Sequence, residues 1–316
     1  MELIEKQQIR PMRKECSRLG WALVIYYAIM YAAVLLAELS NIILDTYLQT
    51  AYGTDFTGGD SWGYFLAIFI GLVLLLVWKK PKFFVESICK QGRGMHIDDF
   101  MQILLLFIGV QGVQYIATLI TELSLNSAGY TMTEGLQAVS GQTNDIIMFL
   151  YVGVGAPIAE ELLFRGLVIR PLERYGKRFA IIVSALLFGL FHGNLIQAPY
   201  AALVGLILGY VAVEYSIGWA IVLHMFNNMI FADTITRLIP GLGGNLLLIG
   251  LMLGCMIAGI VILIVRRRDI RAYRRYYLNQ RFCWRAVLSA PGVIVFTLLL
   301  FAMTALTMFS LITPLG

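Results

Sequence analysis

Charged residues are scarce in this chain of 316 residues: Asp, Glu, Lys and Arg together make up 14%, whereas hydrophobic residues make up 59%. The mean hydropathy is correspondingly high, at +0.78. A water-soluble protein could not bury this much apolar surface in one core, so the composition excludes an ordinary soluble domain. We therefore predict an all-α membrane protein, a polytopic bundle of transmembrane helices that forms a single domain over residues 1–316.

Histidine and cysteine are also rare, with three and four residues respectively. The cysteines form no CxxC pair, so the sequence predicts neither disulfides nor a cysteine metal site. No HExxH motif is present, which removes the strongest sequence signal for zinc. No Ser or Cys stands in a recognisable nucleophile motif, and this disfavours a covalent acyl-enzyme.

Apolar runs of the length needed to cross a bilayer, about 20 residues, recur along the whole chain. We predict about nine spans, or eight if residues 180–213 are divided differently. No internal repeat and no Pro- or Ser-rich linker interrupts them. The predicted spans are residues 20–44, 62–78, 100–125, 145–169, 180–197, 198–213, 217–236, 245–265 and 287–312.

The basic residues predict the orientation of the chain, because cytoplasmic loops are enriched in Lys and Arg. All of them except Arg237 fall in four clusters, at residues 6–18, 79–93, 165–178 and 266–285. These clusters alternate with nine crossings if the N-terminus is cytoplasmic. The long first apolar run indicates a retained signal anchor. The pI near 9.0 is then a consequence of topology and not of a nucleic-acid surface.

Two basic segments have more than one interpretation. Residues 79–100 form either a short interfacial helix or an ordinary cytoplasmic loop. Residues 266–285 mix Arg with Tyr and Trp. Their position beside two predicted spans favours binding to anionic lipid headgroups over binding to RNA.

Adjacent glutamates in an otherwise apolar run are the most informative feature of the sequence. Glu160 and Glu161 lie in VGVGAPIAEELLFRGLVI, where each charge costs about 3 kcal/mol on insertion scales. On a helix Arg165 shares a face with Glu161, whereas Glu160 points about 100° away. The ion pair can neutralise Glu161 and leave Glu160 free. A purely structural role for both acids is the alternative.

The next predicted spans carry further polar residues at helical spacing. His192 follows Phe188 by four residues, and Asn228 follows His224 by four. Two histidines and a carboxamide close to a free glutamate favour a functional site, since unpaired polar groups are costly in lipid.

These residue types suit the hydrolysis of an amide. A carboxylate and an imidazole can deprotonate a water molecule, and a second imidazole with an amide NH2 can donate to an oxyanion. Alternatively, Glu160, His192 and His224 could be ligands of a catalytic zinc. A transporter would also place ionisable residues near the membrane midplane. A non-enzymatic scaffold or immunity partner is the third alternative.

Three ordered motifs resemble those of one known family. They are EExxxR at Glu160 to Arg165, FxxxH at Phe188 to His192, and HxxxN at His224 to Asn228. Together they resemble the CPBP family of intramembrane endopeptidases, which includes CAAX prenyl protease 2, bacteriocin-processing and Abi proteins. The resemblance covers residues 140–235, which we interpret as a catalytic core.

The resemblance implies a role for each of these residues. Glu160 would be the general base, aided by His192, and His224 with Asn228 would bind the oxyanion. Glu161, Arg165 and Phe188 would support the site. The family has been described both as metalloproteases and as metal-independent glutamate proteases. We favour the second type without a cofactor, because Asn is a poor zinc ligand; zinc stays the alternative.

The resemblance also implies the surroundings of the protein. We expect a multi-pass protein of a cell membrane, of the bacterial plasma membrane in particular, that contacts lipid and acts on peptides or proteins with a membrane-associated segment. CAAX-like and leader peptides are the candidate substrates, and the sequence predicts no oligomeric state. At 1.5 Å per residue Glu160 is about 14 Å and His224 about 10 Å from the cytoplasmic ends of their spans, which predicts an opening toward the cytoplasm.

Overall fold

The computed structural model describes residues 2–53, 62–90, 92–132, 146–229, 241–276 and 281–314. Over these residues the protein is an all-α bundle with one short two-stranded pairing. The helices are α1 (Glu2–Tyr52), α2 (Trp62–Trp78), α3 (Pro81–Cys89), α4 (Ile97–Ser127), α5 (Ile146–Tyr175), α6 (Lys177–Phe191), α7 (Gln197–Glu214), α8 (Ile217–Met229), α9 (Leu242–Val265), α10 (Arg267–Tyr276), α11 (Arg281–Leu288) and α12 (Pro291–Leu311). Strands β1 (Tyr130–Thr131) and β2 (Thr313–Pro314) pair antiparallel.

The predicted membrane bundle is confirmed. Within the described residues six helices are long and apolar enough to cross a membrane, or up to seven if a bent pair counts as one span. That pair is α2 and α3, which meet at 97°. The segment after α2 is therefore a short helix turned away from it and not an extended loop. Helix α6 has 15 residues, fewer than a full span needs, and the described part of α8 ends at Met229.

Polar contacts join the helix ends that carry the basic clusters. Lys90 Nζ lies 2.7 Å from Glu173 Oε2, and Lys177 Nζ lies 2.9 Å from Glu214 Oε1. The Tyr273 hydroxyl also donates to Glu214 Oε1, at 3.0 Å. These contacts bring α3, α5, α6, α7 and α10 together at one end of the bundle, which we call the basic face.

The N-terminal helix and the turn before α12 belong to the same face. Arg13 Nε donates to the carbonyl of Ser289 at 2.8 Å, and the Tyr175 hydroxyl donates to Glu15 at 3.2 Å. Arg93 lies over the ring of Tyr215, 4.5 Å from its centroid, and burial raises the pKa of that phenol. The four basic clusters therefore lie together, as the alternation of the loops predicts.

Helices α6 and α7 pack closely because small residues line their contact. A Cβ atom on Gly189 would lie 2.5 Å from the carbonyl oxygen of Ala198. Between the two helices Gly193 has a φ of +60°, which side chains with a Cβ rarely adopt. Helix α6 ends at Phe191, His192 follows it, and α7 starts four residues after Gly193. The turn fixes where His192 lies.

We predict that Glu214 stabilises the basic face more than an exposed acid does. Its side chain is 17% exposed and accepts from two partners. We expect Glu214→Ala to lower the free energy of unfolding by about 1–2 kcal/mol, because charge-assisted hydrogen bonds are lost. Thermal unfolding of the purified protein in detergent measures this.

Glu86 provides the matched control, because it pairs with Lys82 at 3.8 Å and both side chains are mostly exposed. We expect Glu86→Ala to change stability by less than about 0.5 kcal/mol. Equal losses in the two variants would contradict the stabilising role of the basic face.

Candidate active site

The two glutamates lie on the only regular α-helical turn in the middle of α5. Residues Tyr151–Gly155 before this turn and Leu162–Ile169 after it are π-helical. Such wide turns are rare and are frequent at functional sites, since they redirect side chains. Pro157 lacks an amide hydrogen, and in a π-helix this leaves the carbonyl of Val152 free for another donor.

Glu161 is completely buried and connects two cationic or ionisable groups. Its Oε2 lies 3.0 Å from Arg165 Nε, and both side chains have 0% exposure. Its Oε1 lies 2.9 Å from His224 Nδ1. Because a carboxylate accepts, Nδ1 of His224 carries the hydrogen of this bond. The expected contact of Glu161 with Arg165 is present, and the contact with His224 extends it.

Phe188 is the apolar centre of this group of side chains. The Arg165 guanidinium lies 4.5 Å from its ring centroid, which is a cation–π contact. The rings of His192 and His224 meet the Phe188 ring edge-on, with centroids 4.9 and 5.9 Å away. One buried phenylalanine therefore fixes the position of three polar groups.

Glu160 differs from its neighbour in its surroundings. Its side chain is 20% exposed, and its Oε2 lies 3.8 Å from His224 Nε2, too far for a hydrogen bond. Within the described residues no hydrogen bond holds its carboxylate. The two glutamates are thus separated as the helical spacing predicts, with one in the core and one facing a cavity.

His192 directly follows the last residue of α6, and only its Nδ1 has a hydrogen-bond partner among the described residues. Its Nδ1 lies 2.9 Å from the carbonyl oxygen of Phe188. A carbonyl can only accept, so Nδ1 carries the hydrogen and Nε2 keeps its lone pair in the neutral ring. In the described part of the chain no direct hydrogen bond joins His192 to Glu160, although both line the same cavity.

A chain of carboxamides fixes the remaining side of the site. Asn228 Nδ2 donates to the free carbonyl of Val152 at 2.9 Å, and its Oδ1 accepts from Asn227 at 3.1 Å. Asn227 Oδ1 accepts from Gln111 of α4 at 2.6 Å. Gln111 also contacts the hydroxyl of Tyr200. Among the described residues the second amide hydrogen of Asn228 has no partner.

A cavity of about 210 Å³ joins all four residues that the sequence predicts to be catalytic. Helices α5, α6, α7 and α8 surround it. Its lining is Tyr151, Val152, Ala156, Glu160, Phe188, His192, Gln197, Tyr200, Ala201, Val204, His224, Asn227 and Asn228. Glu161 and Arg165 do not line it, which is consistent with a supporting position.

The residues considered as zinc ligands do not form a ligand cluster here. Among the residues with described positions, no group of three or more His, Cys, Asp or Glu side chains could hold a metal ion. Glu160, His192 and His224 therefore do not fit a three-ligand zinc site in this arrangement.

Comparison with known families identifies the segment that carries this site. Residues 142–230 match the family model described as Type II CAAX prenyl endopeptidase Rce1-like. This segment is similar to the Rce1-like family. The match contains the helices around the cavity and confirms the resemblance of the three motifs to the CPBP family. It supports a CAAX-type intramembrane protease, and the helices make the chain a multi-pass membrane protein. Comparisons with curated proteins and with solved structures gave no match.

Sequence reasoning missed several residues of the Rce1-like site. Gln111, Asn227 and Tyr200 connect α4, α7 and α8 beside the cavity. Gln111 lies outside the matched segment, and none of the three sequence motifs includes it. A glutamine in the apolar run of residues 100–125 and a second asparagine before Asn228 were the available signals. Intramembrane polar residues of this kind usually face the bundle interior.

We predict that Arg165 is required for folding because its removal would leave Glu161 as an uncompensated buried charge. Arg165→Met should lower the free energy of unfolding by about 3–5 kcal/mol. The double variant Glu161→Gln with Arg165→Met should recover most of this loss, since no buried charge is left. Thermal unfolding in detergent measures all three proteins, and a double variant as unstable as the single one would contradict the pairing.

Proposed function

We propose that the protein is an intramembrane endopeptidase in which Glu160 activates a water molecule for attack on a peptide bond. The observation that carries the proposal is the different surroundings of the adjacent glutamates. Glu161 is neutralised by Arg165 in the core, whereas Glu160 faces a cavity without a hydrogen-bonding partner among the described residues. A carboxylate of this kind can accept a proton from water.

Hydrolysis of the peptide bond proceeds in two steps. Glu160 takes a proton from water while the oxygen bonds to the carbonyl carbon, and the carbonyl π electrons move onto its oxygen. The tetrahedral intermediate then collapses, the C–N bond breaks, and the leaving amine receives the proton from Glu160. His192 Nε2 accepts a hydrogen bond from the same water and orients it.

The oxyanion is stabilised by His224 and Asn228. When His224 is protonated, its Nε2–H points toward the cavity, and Glu161 bonded to Nδ1 stabilises the imidazolium, much as the aspartate does in a serine protease triad. Asn228 donates its second amide hydrogen. Its other hydrogen is bonded to Val152, so the amide is oriented before the substrate arrives. Glu161 acts through His224 and is a positioning residue.

A glutamate mechanism agrees better with this site than a zinc mechanism. Among the described residues no three His, Cys, Asp or Glu side chains are grouped so that they could hold a metal ion. The carboxamide of Asn228, a poor metal ligand, has a direct role as an oxyanion donor.

The substrate is a peptide or protein with a membrane-associated segment, of the leader or CAAX-like kind. A cavity of about 210 Å³ inside a helix bundle admits an extended backbone but few large side chains. A bacterial plasma membrane is the proposed location. The lipid bilayer itself is the second partner, since the outer surfaces of α1, α9 and α12 expose many large apolar side chains.

We predict that Glu160→Gln abolishes peptide cleavage and leaves the protein folded. The substitution removes the base and keeps the volume of the side chain. The loss should be at least about a hundredfold in kcat, the usual contribution of a positioned base. Cleavage of a peptide library by the purified protein in detergent, followed by mass spectrometry, measures it.

Glu86→Gln is the matched control for this experiment, because the Glu86 side chain is 66% exposed on α3 and remote from the cavity. It should cleave as fast as the wild type. Cleavage retained by Glu160→Gln would refute the proposed base, and a wild type that cleaves nothing would favour a transporter or a scaffold.

We also predict that cleavage does not require zinc. The wild-type protein should keep its activity after treatment with a strong chelator, and its zinc content should stay well below one ion per chain. Stoichiometric zinc whose removal stops cleavage, and whose return restores it, would establish the metal mechanism instead.

A further inference from the structure

The cavity belongs to one half of the bundle. On α5 its lining residues lie between Tyr151 and Glu160, and on α7 they lie between Gln197 and Val204. Both helices run toward the basic face, so these are the halves remote from it. On α6 and α8, which run away from the basic face, the lining residues are at the far ends: Phe188 and His192 on the first, and residues 224–228 on the second.

Tightly packed apolar side chains separate the cavity from the basic face. On α5 every residue from Leu163 to Ile169 is buried, and all of them except Arg165 are apolar. On α8, Ile217, Ala220 and Leu223 have 0% exposure. On α7 the corresponding residues, Leu208, Val211 and Ala212, are at most 1% exposed. No route for a peptide therefore passes between these helices from the basic face to Glu160.

The opposite end of the cavity is accessible. Gln197, the first residue of α7, lines the cavity and is exposed at the surface. Tyr151 and Val152, in the first π-helical turn of α5, are half-buried and line it as well. The cavity thus reaches the surface at the turn between α6 and α7.

We infer that this cavity takes its substrate from the membrane side opposite the basic face. Since the basic face is the cytoplasmic one by the distribution of Lys and Arg, the opening is extracytoplasmic. The direction of the opening does not depend on the proposed function. The substrate class does rest on that function. That class is the membrane-anchored segment of an exported peptide or protein, with its scissile bond in the outer half of the bilayer.

This direction differs from the cytoplasmic opening expected from helix depth. Depth along a helix places Glu160 and His224 near the middle of the membrane. It does not show on which side the neighbouring helices close the cavity. The packing of α5, α7 and α8 supplies that information. Of the two proposed substrate kinds, a CAAX-like one with a cytoplasmic, lipidated C-terminus would meet the closed side of the bundle, so the direction of the opening favours the leader kind.

Cysteine labelling from the two sides of the membrane tests the direction. Native Cys89 is exposed on α3 at the basic face, and the other cysteines are buried. Gln197→Cys and Ala156→Cys are each made in a Cys89→Ser background. Reaction of Gln197→Cys shows whether the reagent reaches the mouth of the cavity. Reaction of Ala156→Cys shows whether it reaches the cavity wall. A small, charged, membrane-impermeant thiosulfonate is applied to sealed right-side-out and inverted vesicles.

We expect both introduced cysteines to react in right-side-out vesicles and to lose labelling in inverted ones, with the reverse pattern for native Cys89 in the wild type. Reaction of Ala156→Cys only from the Cys89 side, or from neither side, would overturn the inference. Monodisperse gel filtration of each variant shows that it is folded. Labelling needs no catalysis, so an inactive protein would refute the proposed function and leave this result decisive.

Discussion

The buried contact between Glu161 and Arg165 is the interaction on which the rest of the site depends. Two opposite charges with 0% exposure lie on adjacent turns of α5, 3.0 Å apart. Each would be prohibitively costly alone in a membrane bundle. The pair holds a carboxylate at the level of His224, and the free oxygen of that carboxylate orients the imidazole. Phe188 covers the guanidinium and contacts both histidine rings, so the charge network and the aromatic packing position the same atoms.

Around this pair the bundle has two unequal halves. Near the basic face α5, α7 and α8 bury most of their apolar side chains, and polar contacts join the helix ends. In the other half, the π-helical turn Tyr151–Gly155 of α5 and the turn between α6 and α7 border the cavity. The π-helical turns also release the Val152 carbonyl, which orients Asn228. Packing thus places Glu160, His192, His224 and Asn228 around the cavity in this half of the bundle.

The sequence predicts the parts of this arrangement that depend on local spacing. Hydropathy predicts the helices to within a few residues for 62–78 and 245–265, and the i, i+4 rule separates Glu160 from Glu161. Arg165 was grouped with a basic loop cluster, yet it is buried, because its partner lies on its own helix. Contacts between distant segments could not be predicted: Gln111 meets Asn227 across 116 positions of the chain. The π-helical turns and the side on which the cavity opens are also products of packing, which one sequence does not report.

In the proposed division of roles, Glu161 stabilises the structure and Glu160 activates water. Comparing the free energies of unfolding of Glu160→Gln and Glu161→Gln tests it most directly, because the two substitutions are identical and one residue apart. We expect Glu161→Gln to lose about 3–5 kcal/mol, since Arg165 is left unpaired in the core. Glu160→Gln should be as stable as the wild type or more stable, as is common where a charge is kept for function. Equal destabilisation by both substitutions, or a larger loss for Glu160→Gln, would contradict the division of roles.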